Sequence, residues 1–539
     1  MRIVKYTSPV LLSLVVFNAY PLGEPAAIYC ENMGYEYVIE TNEQGESQSF
    51  CVLPDGTKVD ATDFFKGKTK PEYSYCNKHG YDVVSFEEKI GDATIEKAYC
   101  VKGKQLRRSD SSTPNGIPMT ELMQKNGDNW FKSDTFPVVK TQEGSSVLKA
   151  ATTYPTSYDS RSLGIVNPAR HQGSRGTCWA FATAACSEIT YNKNSGSTGD
   201  KRKRVSESFI VWCLGGNTDV VRSSGTLFKT CPKDEGWMRN AMDAVQKNGV
   251  CLLEYYPYTT VQPSTCDHWN DPKIYPGLHY SMSNYNNSDA LKKIIYEYGS
   301  VGVNMNVGDD FQAYSGGIFD MKNDRGEKGG HSVTLVGWGV SSSNEPYWIL
   351  RNSWGTTWGE DGYMKLKMST ASFWQGDYMA PGEYIYQADN IAESNVVPSN
   401  GNITFIGSKT VKLQKGFKVN KGGKFKAKSQ SVSHIAQTDV KYTSCKSNNA
   451  SGTSSGFGNE ESNDISVYPN PTTGIFTLHF GEKEGDKQVY ISNISGKLVY
   501  SNTFEGNEVQ IDMTGKPTGI YLVRIVSEGE VNVLQIILR

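Results

Sequence analysis

Three well-separated residues have the types needed for nucleophilic attack on a carbonyl group: Cys178, His331 and Asn352. Cys178 lies in a glycine-rich loop directly before a helix-like run. A helix N-terminus favours the nucleophilic thiolate through its dipole and its free backbone N–H groups. His331 begins a strongly β-forming run, and Asn352 ends an apolar strand before a loop rich in glycine and tryptophan. Because buried cysteines on helices are commonly inert, the order of nucleophile, base and orienting amide is the informative feature.

The segments around these residues resemble those of papain-family cysteine proteases, in which the same order and separation occur. The resemblance rests on three motifs, HQGSRGTCWAF at 171–181, GGHSVTLVGWG at 329–339 and YWILRNSWGTTWGEDGY at 347–363. It covers about residues 153–390. It implies an α+β, papain-like two-lobed catalytic domain, with a helical half, a β-barrel-like half and a cleft between them.

The resemblance also implies a catalytic role for each matching residue. Cys178 would attack the scissile carbonyl as a thiolate paired with protonated His331, which would then protonate the leaving amine. Asn352 would orient the imidazole without adding charge. The side-chain amide of Gln172 and the backbone N–H of Cys178 would stabilise the oxyanion.

Two further residues match family positions that contact the substrate or protect the site. Trp354 would shield the hydrogen bond between histidine and asparagine from water. Gly236 would pair with the substrate through its backbone, although a glycine before a helical run is often an ordinary turn residue. We expect His171, which lies beside Gln172, to be exposed. The residue before the catalytic histidine is often aspartate in plant members and is Gly330 here.

The cysteines depart from the family pattern at one place. Arg175 stands where the family usually has a cysteine, and Cys231 resembles the usual disulfide partner of that cysteine. Cys231 must therefore form a disulfide with another cysteine or remain free. Two cysteines are candidates for the disulfide partner of Cys231: Cys186 and Cys251. The resemblance implies one disulfide that the family commonly retains: Cys213–Cys266. The partner of Cys445 stays open.

Composition and the N-terminus indicate export. Eleven cysteines, several of which form apparent pairs, suggest an oxidising compartment. Residues 1–22 are predicted to be a signal peptide, because a basic start precedes an apolar run, Val10–Phe17, that is too short to span a bilayer. The predicted cleavage lies near residues 19–23, and a short anchor is the alternative. No later segment is apolar enough for a stable membrane span.

The net charge of −2 gives no electrostatic case for a nucleic-acid partner or an anionic membrane. The strongest local basic cluster, Lys201–Arg204, is expected to be a solvated loop. No metal or other cofactor is implied.

Residues 23–103 contain an internal repeat, in which YCENMGY at 29–35 recurs as YCNKHGY at 75–81. Each copy continues through strand-like residues to a second cysteine, which predicts two disulfides: Cys30–Cys51 and Cys76–Cys100. The modules resemble small secreted modules of the hemolysin-like type. They are either a prosegment that blocks the cleft or a binding or spacer module. Residues 104–152 are expected to be a linker or activation segment.

The C-terminal part has a different character. Residues 391–445 are predicted to form a small β segment with a solvated lysine face, and residues 446–463 a flexible linker. Short alternating strands in residues 464–539 predict a small β-sandwich. Three motifs there resemble the C-terminal sorting domain of type IX secretion substrates: VYPNPTTGIF, ISGKLV and GIYLVRI. A carbohydrate-binding sandwich is the alternative.

These features favour a secreted or cell-surface papain-like cysteine endopeptidase of a Gram-negative bacterium, exported through the type IX machinery. It would hydrolyse extracellular polypeptides through an acyl-enzyme intermediate. One alternative is a surface adhesin with an inactive papain-like scaffold, and another is a related peptide ligase or acyl transferase. The motifs do not fix side-chain specificity, endo- against exopeptidase action, or the oligomeric state.

Overall fold

The structure is a computed structural model that divides into two compact units, residues 1–445 and 446–539, and each is described by itself. The described residues are 22–42, 46–103, 116–128, 130, 154–214, 222–223, 226–229, 236–261, 263, 266, 268–282, 285–326, 329–380, 382, 384–429, 440–442, 466–468, 472–480, 486–493, 498–517, 519–527 and 530–538. Several predictions lie outside them: the signal peptide up to residue 21, most of the 104–152 segment, the 446–463 linker, Cys231 and Cys445.

The N-terminal repeat region folds around one shared core. Its elements are α1 Pro25–Asn32, β1 Glu36–Thr41, β2 Ser47–Val52, β3 Lys58–Asp60, α2 Ala61–Phe65, a 3-10 helix Pro71–Tyr73, α3 Tyr75–Lys78, β4 Asp82–Ile90, β5 Ala93–Val101, β6 Gly116–Pro118 and α4 Met119–Lys125. The predicted disulfides Cys30–Cys51 and Cys76–Cys100 are confirmed. Tyr29 packs on Phe64, and its hydroxyl accepts a hydrogen bond from the Tyr75 N–H at 2.9 Å, so the two copies are joined.

The helical half of the catalytic region is built around one central helix. Its elements are β7 Tyr158–Asp159, a 3-10 helix Ser160–Leu163, α5 Cys178–Ser195, a 3-10 helix Gly199–Lys201, a π-helix Phe209–Leu214, β8 Arg222–Ser223, β9 Thr226–Lys229, α6 Met238–Asn248, β10 Val250–Cys251, β11 Lys273–Tyr275, β12 Leu278–Ser281 and α7 Ser288–Tyr298. Helix α5 is buried on nearly every face, and its run of alanines allows close packing. The predicted disulfide Cys213–Cys266 is confirmed.

The second half is rich in strands, as the resemblance implied. Its elements are β13 Val301–Val307, α8 Asp309–Gln312, β14 Tyr314–Phe319, a 3-10 helix Met321–Asn323, β15 Gly329–Val340, β16 Pro346–Arg351, β17 Tyr363–Lys367, β18 Gln375–Ala380, β19 Tyr384–Glu393, β20 Val396–Val397, β21 Asn402–Leu413, β22 Lys418–Val419, β23 Lys424–Ser429 and β24 Val440–Tyr442. One large sheet has the order β12-β18-β13-β15-β16-β17-β14-β5-β4.

The N-terminal region contributes strands to this catalytic sheet. Strand β5 pairs antiparallel with β14, with Ile95 opposite Tyr314, and β4 forms the next strand outward. The sequence repeat gives no sign of this pairing, because it describes each copy as a small unit of its own. The second copy is therefore fixed to the catalytic half through backbone hydrogen bonds.

The segment after residue 390 packs on the helical half. Strands β19, β21 and β23 join β10 and β11 in a five-stranded sheet, and position 390 lies inside β19. Ile403 and Phe405 are buried in the same core as α6. The predicted lysine face is solvated at Lys412, Lys415 and Lys418.

The basic run at 201–204 is more constrained than the prediction of a solvated loop. The Lys203 ammonium pairs with Glu393 at 2.5 Å, and the Arg202 guanidinium donates to the Val166 carbonyl oxygen at 2.5 Å. These contacts attach the run to its surroundings, while Lys201 stays exposed.

The C-terminal unit is a β-sandwich, as predicted. Its strands are β25 Ser466–Tyr468, β26 Ile475–His479, β27 Lys487–Asn493, β28 Leu498–Phe504, β29 Glu508–Asp512, β30 Gly519–Ser527 and β31 Glu530–Leu538. They form two sheets, β25-β26-β29 and β28-β27-β30-β31, around a shared apolar core. In the described part of the chain, no helix is both long and apolar enough to cross a membrane.

Candidate active site

The start of helix α5 positions the candidate nucleophile. Cys178 is the first residue of the helix, and its side chain is fully buried. Its Sγ accepts a hydrogen bond from the Ser332 N–H at 3.4 Å, so strand β15 reaches the helix start. Gly173 in the preceding loop has a φ of 65°, which favours glycine and turns the chain toward the helix.

The candidate base and its orienting amide come from neighbouring strands. His331 is the third residue of β15, and Asn352 directly follows β16. The antiparallel pairing of Thr334 with Arg351 brings them together, and His331 Nε2 lies 2.7 Å from Asn352 Oδ1. The Trp354 ring stacks on the imidazole with a centroid separation of 4.8 Å. The indole thus covers the buried hydrogen bond.

Gln172 is fixed by contacts at both ends of its side chain. Its Oε1 accepts from the Ser353 hydroxyl at 2.6 Å, and its backbone N–H donates to the Ser353 carbonyl oxygen at 2.9 Å. The amide Nε2 donates to the Arg175 carbonyl oxygen at 2.8 Å and to the Leu22 carbonyl oxygen at 2.9 Å. The expected oxyanion donor is therefore in contact with a peptide carbonyl of this same chain.

Burial favours the uncharged forms of the candidate nucleophile and base. It raises the pKa of the Cys178 thiol to about 11, although the Ser332 N–H works in the opposite direction. It lowers the pKa of the His331 imidazole to about 4, and the Asn352 hydrogen bond offsets only part of this effect. Among the described residues, none forms a hydrogen bond with His331 Nδ1. Burial thus favours a thiol and a neutral imidazole in the covered site.

The cover is the N-terminal segment Leu22–Glu24, which joins the predicted signal peptide to the repeat region. Blocking of the cleft was one of two alternatives for the repeat region, but this segment and its contacts were not predicted. The Leu22 N–H donates to the Gly330 carbonyl oxygen at 2.9 Å, and the Glu24 N–H donates to the Gly173 carbonyl oxygen at 2.9 Å. These contacts join residues about 150 positions or more apart in the chain. No motif in the sequence marks them.

The prediction that His171 is exposed is wrong. Its Nδ1 lies 3.0 Å from the Glu24 carboxylate, and its side chain is buried. The Tyr37 hydroxyl donates to the same carboxylate at 2.7 Å. The N-terminal region supplies the partners that remove His171 from solvent.

Gly236 and Arg175 lie at the edges of the site. A Cβ on Gly236 would overlap the ring of Trp179, the residue after the nucleophile, so glycine permits close approach there. The Arg175 Nε donates to the Thr260 carbonyl oxygen at 3.1 Å. Cys186 and Cys251 are free thiols in the structure. The structure brings five predicted site residues together: Gln172, Cys178, His331, Asn352 and Trp354.

Family models match three parts of the chain. Residues 154–379 match the model of the papain family cysteine proteases, and residues 466–539 match the secretion system C-terminal sorting domain. Residues 22–68 match a domain of unknown function, DUF333.

Curated relatives include proteases of plants, an insect and a protist. Cysteine proteinase 3 of Entamoeba histolytica is 35% identical over 235 residues, which are 43% of this chain and 68% of that protein. Fruit bromelain of Ananas comosus is 31% identical over 230 residues, which are 42% of this chain and 59% of that protein. The chain thus spans less than two thirds of the bromelain length.

Among solved structures, the bromelain protease from Ananas comosus in complex with the E64 inhibitor is 26% identical. The match has a TM-score of 0.34 and covers 42% of this chain and 98% of that one. Together, the matching family model and the Entamoeba relative show that the chain belongs to the papain family of cysteine proteases.

Proposed function

We propose that this protein is a secreted or cell-surface cysteine endopeptidase that hydrolyses peptide bonds of extracellular polypeptides. One observation carries the proposal: a thiol at a helix N-terminus, an imidazole held 2.7 Å from an amide oxygen, and a fixed amide donor converge on one groove. Each chemical step of peptide hydrolysis then has a residue that can perform it.

The reaction proceeds in two halves. Cys178 passes its proton to His331 and attacks the scissile carbonyl carbon as a thiolate, while Gln172 Nε2 and the Cys178 N–H stabilise the oxyanion. His331 transfers a proton to the leaving nitrogen as the C–N bond breaks, and a thioester remains. Water, deprotonated by His331, then hydrolyses the thioester and restores the thiol. Asn352 keeps the imidazole in orientation throughout.

Action within a chain, rather than only at its ends, is supported by the groove itself. Leu22–Glu24 lies in it as an internal stretch, because helix α1 continues from Pro25. The groove walls thus accommodate a peptide that continues on the leaving-group side.

The C-terminal domain supports export. Residues 466–539 match a secretion sorting model, and the chain has disulfides in the described region. Disulfides persist in oxidising compartments. We assign export to the type IX machinery of a Gram-negative cell, ending at the surface or outside it.

The test compares two cysteines of the same helix. In a Glu24→Ala background, which removes an anchor of the covering segment, hydrolysis of an unfolded polypeptide and labelling by a thiol-reactive epoxide are measured. Cys178→Ala should abolish both, whereas Cys186→Ala, which alters a buried thiol two turns further along, should preserve both.

Two outcomes would contradict the proposal. Hydrolysis that persists in Cys178→Ala would remove the nucleophile from the mechanism. Absence of hydrolysis and labelling in every folded variant would favour the inactive-scaffold alternative. Mass spectrometry of the products separates hydrolysis from peptide ligation, since only ligation joins the acyl part to an added amine.

A further inference from the structure

Leu22–Glu24 lies in the groove as a bound peptide. One wall provides the Gly330 carbonyl oxygen, which accepts from the Leu22 N–H at 2.9 Å. The other wall provides Gln172 Nε2, which donates to the Leu22 carbonyl oxygen, and the Gly173 carbonyl oxygen, which accepts from the Glu24 N–H. Backbone hydrogen bonds on both sides are what an enzyme groove offers to a polypeptide substrate.

Leu22 contacts the candidate active site through both its carbonyl oxygen and its N–H. Its oxygen faces the expected oxyanion donor, and its own N–H bonds the residue directly before His331. The Leu22 side chain is buried on the same apolar core as Trp354, which stacks on His331. The Leu22 carbonyl is thus held at the expected oxyanion donor, and the Leu22 N–H is held at the residue that precedes His331.

The next residue, Gly23, follows the carbonyl on the leaving-group side. A Cβ at this position would overlap the Ser174 carbonyl oxygen, so only glycine approaches this wall without displacement. Glu24 then anchors the chain through His171 Nδ1 at 3.0 Å and the Tyr37 hydroxyl at 2.7 Å. The Gly23 nitrogen thus lies between two residues fixed by side-chain contacts: Leu22 through its carbonyl oxygen and Glu24 through its carboxylate.

We propose that the Leu22–Gly23 peptide bond, which ends the predicted signal peptide, is a self-cleavage site that is cut in cis by this same groove rather than by signal peptidase; this rests on the proposed function. The processed chain begins at Gly23, one residue after the start of the region that matches the domain of unknown function. Cleavage releases the upstream part of the chain and leaves the N-terminal region attached to the catalytic halves.

The step balances without a co-reactant other than water. Cys178 passes its thiol proton to His331 as its Sγ forms a bond to the Leu22 carbonyl carbon. The bond from that carbon to the Gly23 nitrogen then breaks, and His331 delivers the same proton to that nitrogen. The upstream peptide is then a thioester. Water hydrolyses it to a Leu22 carboxylate and regenerates the thiol.

The experiment uses the full chain made in a cell-free, oxidising translation mixture without membranes, so that signal peptidase is absent. Intact mass and N-terminal sequencing follow processing, and an unfolded polypeptide is added to measure hydrolysis in trans. The wild-type chain should acquire a Gly23 N-terminus at a rate independent of protein concentration. Cys178→Ala should keep its original N-terminus.

A second pair of variants keeps the catalytic groups intact. Gly23→Val should slow self-cleavage at least tenfold, because the added side chain meets the Ser174 carbonyl oxygen. Glu31→Ala, which alters an exposed residue of helix α1, should be processed at the wild-type rate. Formation of the three described disulfides verifies folding of each variant.

Three outcomes overturn the proposal. A Gly23 N-terminus in Cys178→Ala would show that the site is not responsible. A wild-type chain that hydrolyses the added polypeptide but stays uncut at Leu22 would overturn self-cleavage while leaving the proposed function intact. A wild-type chain that does neither would overturn both.

Discussion

His331 and His279 are both histidines with buried side chains, and their partners differ in charge. His331 Nε2 lies 2.7 Å from the neutral amide oxygen of Asn352, and burial lowers the pKa of the His331 imidazole to about 4. At His279, burial also acts to lower the pKa, but hydrogen bonds to Asp243 at 2.7 Å and Asp377 at 3.0 Å outweigh it, so the pKa is raised. The partner decides whether a buried imidazole keeps its proton.

The difference teaches what each site can do. A carboxylate partner stabilises the charged imidazole and fixes the proton in place. An amide partner orients the ring equally well, yet leaves the proton free to move to a thiol or a leaving amine. The groove therefore has the partner that suits proton transfer, and the His279 site has partners that suit a permanent ion pair.

Removal of the buried carboxylate at His279 should have the largest effect. Asp377 is fully buried, and it also accepts from Ser281 at 2.5 Å and from Arg239 at 3.2 Å. Asp377→Ala would leave the buried His279 imidazole without its buried acceptor, and we expect a loss of about 3–5 kcal/mol in the free energy of unfolding. Urea denaturation measures it.

The matched control is the other partner of the same histidine. Asp243 is 51% exposed, so Asp243→Ala should cost about 1 kcal/mol or less. Equal losses for the two variants would mean that burial of the partner has no influence on the pair.

The second-largest effect should be the loss of folding stability that His331 causes at acidic pH. The folded state holds this imidazole with a pKa of about 4, against 6.5 for its ordinary value, so between these values the unfolded state binds more protons. Stability should therefore fall as the pH drops from 6.5 to 4, and the accumulated loss is about 3 kcal/mol. Denaturation of Cys178→Ala across this range, compared with Cys178→Ala plus His331→Gln, measures the difference.

Local motifs made the residues of the candidate site predictable. A loop before a helix, a histidine at a strand start and an asparagine at a strand end are each encoded within a few residues, as at Cys178 and His331. The disulfides followed from the repeat and the family resemblance. Contacts between distant segments were not predictable: the Leu22 carbonyl meets Gln172 across 150 positions, and His279 meets Asp377 across 98. Their geometry arises from packing, which no local pattern records.

Replacing the amide partner of His331 by a carboxylate should make its environment resemble that of His279. Asn352→Asp, made in the Cys178→Ala background, places a carboxylate against His331 Nε2. An opposite charge at this distance should raise the pKa of His331 by about one to three pKa units. NMR titration of the imidazole measures it, and the His279 resonance should not move. An unchanged His331 pKa would mean that burial alone sets its proton affinity.

The smallest effect should have the opposite pH dependence, at His279. Its folded pKa is raised, so its contribution to stability is fully present below the unfolded value of 6.5 and is lost as the pH rises through the folded pKa. The stability difference between the parent and His279→Gln should thus shrink from pH 6 to pH 9, whereas the difference attributable to His331 changes only on the acid side. Because Asp243 is half exposed and solvent screens that part of the interaction, we expect a change of about 1 kcal/mol. A difference that grows with pH would show that His279 is held neutral, and the contrast between the amide-paired and the carboxylate-paired histidine would not stand.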